Sequence, residues 1–174
     1  YLTKKEFATA GVEGGTIPVR LASKYRSLER DGIYTPDENI ERKLTGLAED
    51  KFKSIVDIDE RNLGKGSSVN INIGNFFEGD KLVGKEIEYK AKFIDGYILS
   101  FSNTASEEVM EKFKDKEVCL EIFNLEELER EISSQLKIKG IIDKCKYTDG
   151  KDRDVFLKSV DDSWQDELRI FWEP

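Results

Sequence analysis

The sequence predicts an α+β fold: a single domain over residues 1–174 with a mostly antiparallel, twisted sheet flanked by about four helices. Several stretches carry helix-start chemistry, and several others alternate apolar and polar residues with a period of two. The two kinds do not alternate strictly, so the strands are not joined by regular helical crossovers, and an antiparallel sheet is expected.

The helices come first. Thr3-Lys4-Lys5-Glu6 is a capping box, in which the hydroxyl takes an orphan amide and the Glu reaches back. Phe7 and Ala10 then face inward, and Gly14-Gly15 ends the helix. Thr35-Pro36-Asp37-Glu38 repeats the start signal with Pro at the first helical position, and Ile40, Leu44 and Leu47 follow at helical spacing. Thr104-Ala105-Ser106-Glu107 opens a third helix with Val109, Met110 and Phe113 as its apolar stripe. Asn124-Leu125-Glu126-Glu127 opens a fourth, whose Leu125, Leu128, Ile132 and Leu136 form one apolar face.

Strands occupy the intervals. Thr16 to Ala22 reads as one, with Pro18 marking an edge or a strand end. Val69, Ile71 and Ile73 alternate with Asn70 and Asn72, and Ile87, Tyr89, Ala91 and Phe93 alternate with charged residues. Asp95-Gly96 is a hairpin signal, with Tyr97 to Ser102 as the return strand. Val118 to Ile122, Ile138 to Tyr147 and a short strand from Phe156 follow, and the polar stretch from Asp50 to Ser68 reads as a long loop. In the final strand Leu168, Ile170 and Trp172 share one face, and Glu167, Arg169 and Phe171 the other. This last strand is expected deep in a sheet.

Composition narrows the chemistry. The chain has no histidine, which removes His-based triads, His general bases and His metal ligands together. The acids are scattered without an EF-hand or two-metal pattern, and no metal is expected. Gly64-Lys65-Gly66-Ser67-Ser68 lacks the spacing of a phosphate-binding P-loop. A net charge of −8 opposes nonspecific nucleic-acid binding and favours cationic partners. No apolar run is long enough to cross a bilayer as a helix. Cys119 and Cys145 are expected as reduced thiols of a cytoplasmic protein. The sequence starts at Tyr1 rather than Met, and a trimmed N-terminus is expected.

What remains must run on carboxylates, hydroxyls, Arg, Lys or Tyr. Ser100 and Ser102 lie two apart on a strand and share a face, where their hydroxyls can hold a ribose or simply cap a sheet end. Gln165 and Glu167 form a Gln-x-Glu step of the kind ADP-ribosyltransferases use. The Glu of such a step bonds a ribose hydroxyl and stabilises the positive charge that develops as the nicotinamide bond breaks. Equally, Glu167 can pair with Arg169 or with a Lys across the sheet. Arg20 in an early strand, Ser100 and Ser102 in a central one and Glu167 in a late one match the order found in transferases that use NAD. Tyr25 and Arg26 begin a segment dense in charge and aromatics, a site loop for phosphate or a solvated connection.

Three stretches carry a wider resemblance: Glu6-Phe7-Ala8 through Thr35-Pro36-Asp37-Glu38, then Leu99-Ser100-Phe101-Ser102, then Phe156-Leu157-Lys158-Ser159 with Trp164 to Ile170. They resemble a loose group of bacterial and phage proteins, often described as phage-resistance or domain-of-unknown-function proteins. By analogy that layout is similar to the ADP-ribosyltransferase fold. The resemblance implies a NAD-binding, ADP-ribosyltransferase-like protein of bacterium–phage conflict, working in the cytoplasm of a bacterial host. Glu167 and Gln165 would then be catalytic, Arg20, Tyr25, Arg26, Ser100 and Ser102 would bind NAD, and NAD would be the substrate. The alternative is a non-catalytic acidic binder that sequesters a nucleotide signal or docks on a host or phage defence protein.

Overall fold

The computed structural model describes residues 2–26, 40–47, 51–52, 56, 67–113, 116–150 and 152–174. They form an α+β fold in which antiparallel pairing dominates. A four-stranded antiparallel sheet has the order β10 (Ile141–Lys144), β13 (Glu167–Trp172), β8 (Tyr97–Ser102), β2 (Arg20–Leu21). A three-stranded antiparallel sheet has the order β3 (Ile40–Thr45), β7 (Ile87–Phe93), β4 (Ser68–Ile73). Ribbons pair β1 (Leu2–Thr3) with β9 (Val118–Cys119) and β5 (Phe76–Glu78) with β6 (Lys81–Gly84). One parallel pair joins β11 (Lys146–Thr148) to β12 (Leu157–Ser159). The described α-helices are α1 (Lys5–Glu13), α2 (Glu107–Lys112) and α3 (Leu125–Leu136), and 3-10 turns cover Ala22–Arg26 and Val160–Gln165. No described helix is long and apolar enough to cross a membrane.

The two larger sheets follow from their sequence patterns. In β7 the alternating Ile87, Tyr89, Ala91 and Phe93 are all buried, and with Ile40 and Phe52 they form one core. Phe52 stacks on Tyr89 with ring centroids 4.8 Å apart. In β13 the Leu168, Ile170 and Trp172 face packs with Leu99 and Phe101 of β8 under Leu125, Leu128, Ile132 and Leu136 of α3. The apolar face read from the α3 sequence is thus the face that covers the sheet. Asn124 caps α3 through its Oδ1, which accepts from Glu127 N at 3.0 Å, and Ser106 Oγ caps α2 by accepting from Val109 N at 3.2 Å. A hydrogen-bonded clasp fastens α3 to β13. Trp172 Nε1 donates to Ser133 Oγ (2.8 Å), Ser133 Oγ donates to Glu129 Oε1 (2.5 Å), and Gly140 N donates to Glu129 Oε1 (2.7 Å).

Several local expectations differ from the structure: the strand expected over Val118 to Ile122 is limited to Val118–Cys119, and that over Ile138 to Tyr147 is two strands, β10 and β11. Ile40, Leu44 and Leu47 do not start a helix, since Ile40–Thr45 is a strand paired with β7, Ile40 opposite Phe93 and Leu44 opposite Tyr89. A spacing of four fits a helix turn and also one face of a strand, and the apolar face of β7 decides between them. The capping box at Thr35 to Glu38 lies outside the described residues, as does most of the loop expected from Asp50 to Ser68. Between Thr16 and Ala22 only Arg20–Leu21 pairs, at the sheet edge, as Pro18 foreshadows. Phe7 is 46% exposed rather than inward.

Asp95-Gly96 does not close a hairpin, because β7 pairs with β3 and β4 while β8 pairs with β13 and β2. The dipeptide instead carries the chain from one sheet to the other. Asp95 Oδ1 accepts from Ser23 N (3.1 Å), and the Gly96 carbonyl accepts from Ala22 N (2.9 Å). A Cβ on Gly96 would lie 2.2 Å from the Phe171 ring and 2.7 Å from the Trp172 carbonyl oxygen. The glycine is required by this close passage, not by a turn. Gly96→Ala is expected to destabilise by about 1–3 kcal/mol in urea denaturation. Gly74→Ala, where nothing lies within 4 Å of the added Cβ, serves as the tolerant control.

Candidate functional site

The candidate residues meet where β8 ends and β13 begins. The register places Glu167 opposite Ser102 and Arg169 opposite Ser100, so these four side chains share one sheet face. The chain enters β13 through Asp166, whose φ of 40° lies in the left-handed region that Asp tolerates. That corner is held from β8. Asn103 N and Nδ2 both donate to the Asp166 carbonyl, at 2.9 and 3.0 Å, and Thr104 Oγ1 donates to Asp166 Oδ2 at 2.8 Å. Ser102 Oγ donates to the Gln165 carbonyl at 2.8 Å. The polar run Ser102-Asn103-Thr104 therefore works as a fastener for the segment that delivers Gln165 and Glu167.

Both delivered side chains are buried and fully engaged. Arg169 Nε donates to Glu167 Oε1 at 2.5 Å, and Lys158 Nζ donates to Glu167 Oε2 at 2.9 Å. Lys158 Nζ also donates to Gln165 Oε1 at 2.9 Å and lies 3.7 Å from Asp162 Oδ2. Gln165 Nε2 donates to Asp162 Oδ1 at 3.1 Å, so both ends of its amide are used. Arg169 Nη1 donates to the Val155 carbonyl at 2.8 Å, and Tyr147 Oη accepts from Glu167 N at 2.8 Å. Glu167 is 5% exposed, Arg169 2% and Lys158 8%. Two anions, Glu167 and Asp162, face two cations, Lys158 and Arg169, and the knot carries no surplus charge.

Burial alone would push the Glu167 carboxyl up, but the Arg169 charge, then the Lys158 charge, outweigh it. Hydrogen bonds from Arg169 and Ser100 add to them, and the carboxyl is held at about 2. Burial also raises the Tyr147 phenol above its ordinary value, which keeps it neutral. Because the folded Glu167 value lies below the ordinary 4.5, its stabilisation is complete above about pH 4.5 and is lost as pH falls towards 2. The loss is expected to be on the order of 3 kcal/mol. Urea titrations across that range check it: the stability gap between wild type and Glu167→Gln should narrow as pH falls. A gap independent of pH would contradict the pairing.

The remaining predicted residues lie apart from this knot. Arg20 is exposed on the edge strand β2, opposite Ile98. It shares the face of Ser100 and Ser102 but stands four residues from Ser102 along β8, about 13 Å. Tyr25 lies half-buried in the 3-10 turn after β2, and Arg26 ends that turn. Reading the sequence missed Tyr147 and Asp162 as members of the cluster. The parallel pairing of Tyr147 with Lys158 brings in the first and leaves no local signal, and the 3-10 turn after β12 brings Asp162 to Lys158. Among the described residues no three acidic or cysteine side chains converge as a metal-binding set. Cys119 is exposed and Cys145 buried, and the two are not joined by a disulfide. No family model matches the chain, and no curated protein or solved structure is similar to it.

Proposed function

We propose that the protein is a non-catalytic, acidic binding module that docks on a cationic partner protein. One observation carries this reading. The two side chains best suited to catalysis, Gln165 and Glu167, have every polar atom turned inward onto Lys158, Arg169 and Asp162. Both are buried, so neither is presented to a ribose hydroxyl. The net charge of −8 supplies long-range attraction to a positively charged surface. A bacterial or phage defence protein is the partner class that the sequence resemblance suggests.

ADP-ribosyl transfer from NAD is the second reading, and one feature favours it: Ser100, Ser102, Gln165 and Glu167 gather at one sheet end in the predicted order. For that chemistry Glu167 must leave Lys158 and Arg169 and Arg20 must move towards it. Incubation of the wild-type protein with labelled NAD and a bacterial lysate separates the two. The binding-module reading expects no NAD consumption and no labelled product. NAD loss or label transfer that disappears in Glu167→Gln, with that variant shown to be folded by thermal melting, would overturn it.

A further inference from the structure

We propose that the outer edge of β4 pairs with the same edge of a second copy of this chain, joining two three-stranded sheets into one. This contact is separate from the binding-module reading, and neither partner docking nor NAD turnover bears on it. A strand edge is a template for another strand unless charge, proline or a covering segment blunts it. The two larger sheets end in β10 and β2 and in β3 and β4. β10 carries Asp143 and Lys144, and β2 is two residues long with Arg20 exposed. β3 carries Glu41, Arg42 and Lys43, and Arg42 N already donates to the Arg153 carbonyl at 2.8 Å. Among these edges β4 alone has no such device. Ser68-Val69-Asn70-Ile71-Asn72-Ile73 holds no charge and no proline, in a chain whose residues are 37% charged.

The edge is open and its backbone groups point outward. Among the described residues β4 pairs only with β7, and Ser68, Asn70 and Asn72 are exposed. Phe93 N donates to the Ser67 carbonyl at 3.3 Å. Alternation along an antiparallel pair then turns the backbone groups of Val69, Ile71 and Ile73 to β7 and those of Ser68, Asn70 and Asn72 away from it. The apolar row is unfinished as well. Val69, Ile71 and Ile73 pack against the core yet stay half-buried, whereas Ile87, Tyr89, Ala91 and Phe93 of β7 are buried.

An antiparallel second copy answers both features. With Asn70 opposite its own counterpart on a two-fold axis, Ser68 faces Asn72 and Val69 faces Ile71. The outward N–H and C=O groups of Ser68, Asn70 and Asn72 then all meet partners, and apolar side chains lie opposite apolar ones. Charge does not oppose the seam locally, because Lys90, opposite Asn70 on β7, is paired with Glu88 Oε1 at 2.8 Å. The contact is isologous and closes: it consumes the unguarded edge of each copy and leaves the charged β3 outermost.

Sedimentation velocity of the wild-type chain is the test. The 20.0 kDa species is expected to give way to one of twice that mass as concentration rises from about 1 µM to about 1 mM. Each copy carries a net charge of −8, so added salt should strengthen the dimer several-fold, the reverse of a charge-driven contact. Asn70→Lys sets two ammonium groups face to face on the axis and should abolish the dimer, with thermal melting to show that the exposed substitution leaves the fold intact. Asp143→Lys on the β10 edge should leave the dimer in place. Register is read by oxidation in a Cys119→Ser background, where the remaining Cys145 is buried. Asn70→Cys should form a disulfide-linked dimer, since residues so paired have Cα atoms about 5.5 Å apart. Asn72→Cys, about 14 Å from its counterpart, should not. A single 20.0 kDa species at every concentration overturns the proposal and leaves the edge to solvent or a foreign strand. A dimer that survives Asn70→Lys, or equal linking of the two cysteine variants, overturns it too.

Discussion

Glu167→Ala is expected to lower stability by about 3–5 kcal/mol, because it leaves the buried cations Lys158 and Arg169 facing each other without their shared anion. Chemical denaturation with circular dichroism would measure it. A cost below about 1 kcal/mol would mean that the carboxylate does not sit between the two cations. Replacing Lys158, Glu167 and Arg169 together by apolar residues of similar volume should recover much of the loss, since a buried ion cluster barely offsets its own desolvation. This expectation bears on function. An inactive Glu167→Ala protein would be uninformative about catalysis unless shown to be folded, so the more conservative Glu167→Gln is the variant for the NAD assay.

Trp172→Ala is expected to cost about 3–5 kcal/mol. The side chain is fully buried between the sheet and α3, and the substitution also removes the donor to Ser133 Oγ. Trp172→Phe separates the two contributions. It keeps most of the apolar contact and loses the indole N–H, while Ser133 Oγ still accepts from Gly140 N at 3.1 Å and donates to Glu129. A cost of about 1 kcal/mol is expected for that variant. Thermal melts of the two variants side by side would show whether the clasp or the ring volume dominates.

The parts of the fold that could be read from the sequence are those where a local pattern and the final partner agree. The α3 stripe, the Asn124 cap, and the alternation in β4 and β7 are found as read, whereas α2 is capped by Ser106 and not by Thr104, two residues earlier, where the sequence signal begins. Arg169 was visible as a possible partner of Glu167, being two residues away on the same strand face. What failed was pairing at a distance. Asp95-Gly96 has the residues of a hairpin turn, yet Phe171 and Trp172, far along the chain, determine why the glycine is needed. Ile40 and Leu44 fit two periodicities, and only the presence of β7 selects one. For the candidate site, sequence order brought Ser100, Ser102, Gln165 and Glu167 into one group, and the sheet does gather them. Their availability is another matter, because it depends on Lys158 and Asp162 arriving from the β12 strand and the 3-10 turn that follows it.

The central position of β13 has a consequence for how the protein acquires its shape. β13 lies between β10 and β8, yet follows both in the sequence. Until residues 167–172 have emerged from the ribosome, β8 and β10 have no strand between them, and α3 has no sheet to lie on. Closing so wide a span of chain is slow compared with forming a helix. The emerging polypeptide therefore presents two unsatisfied strand edges and the apolar stripe of α3 together. That interval, rather than any weakness of the finished fold, is when self-association is most to be expected.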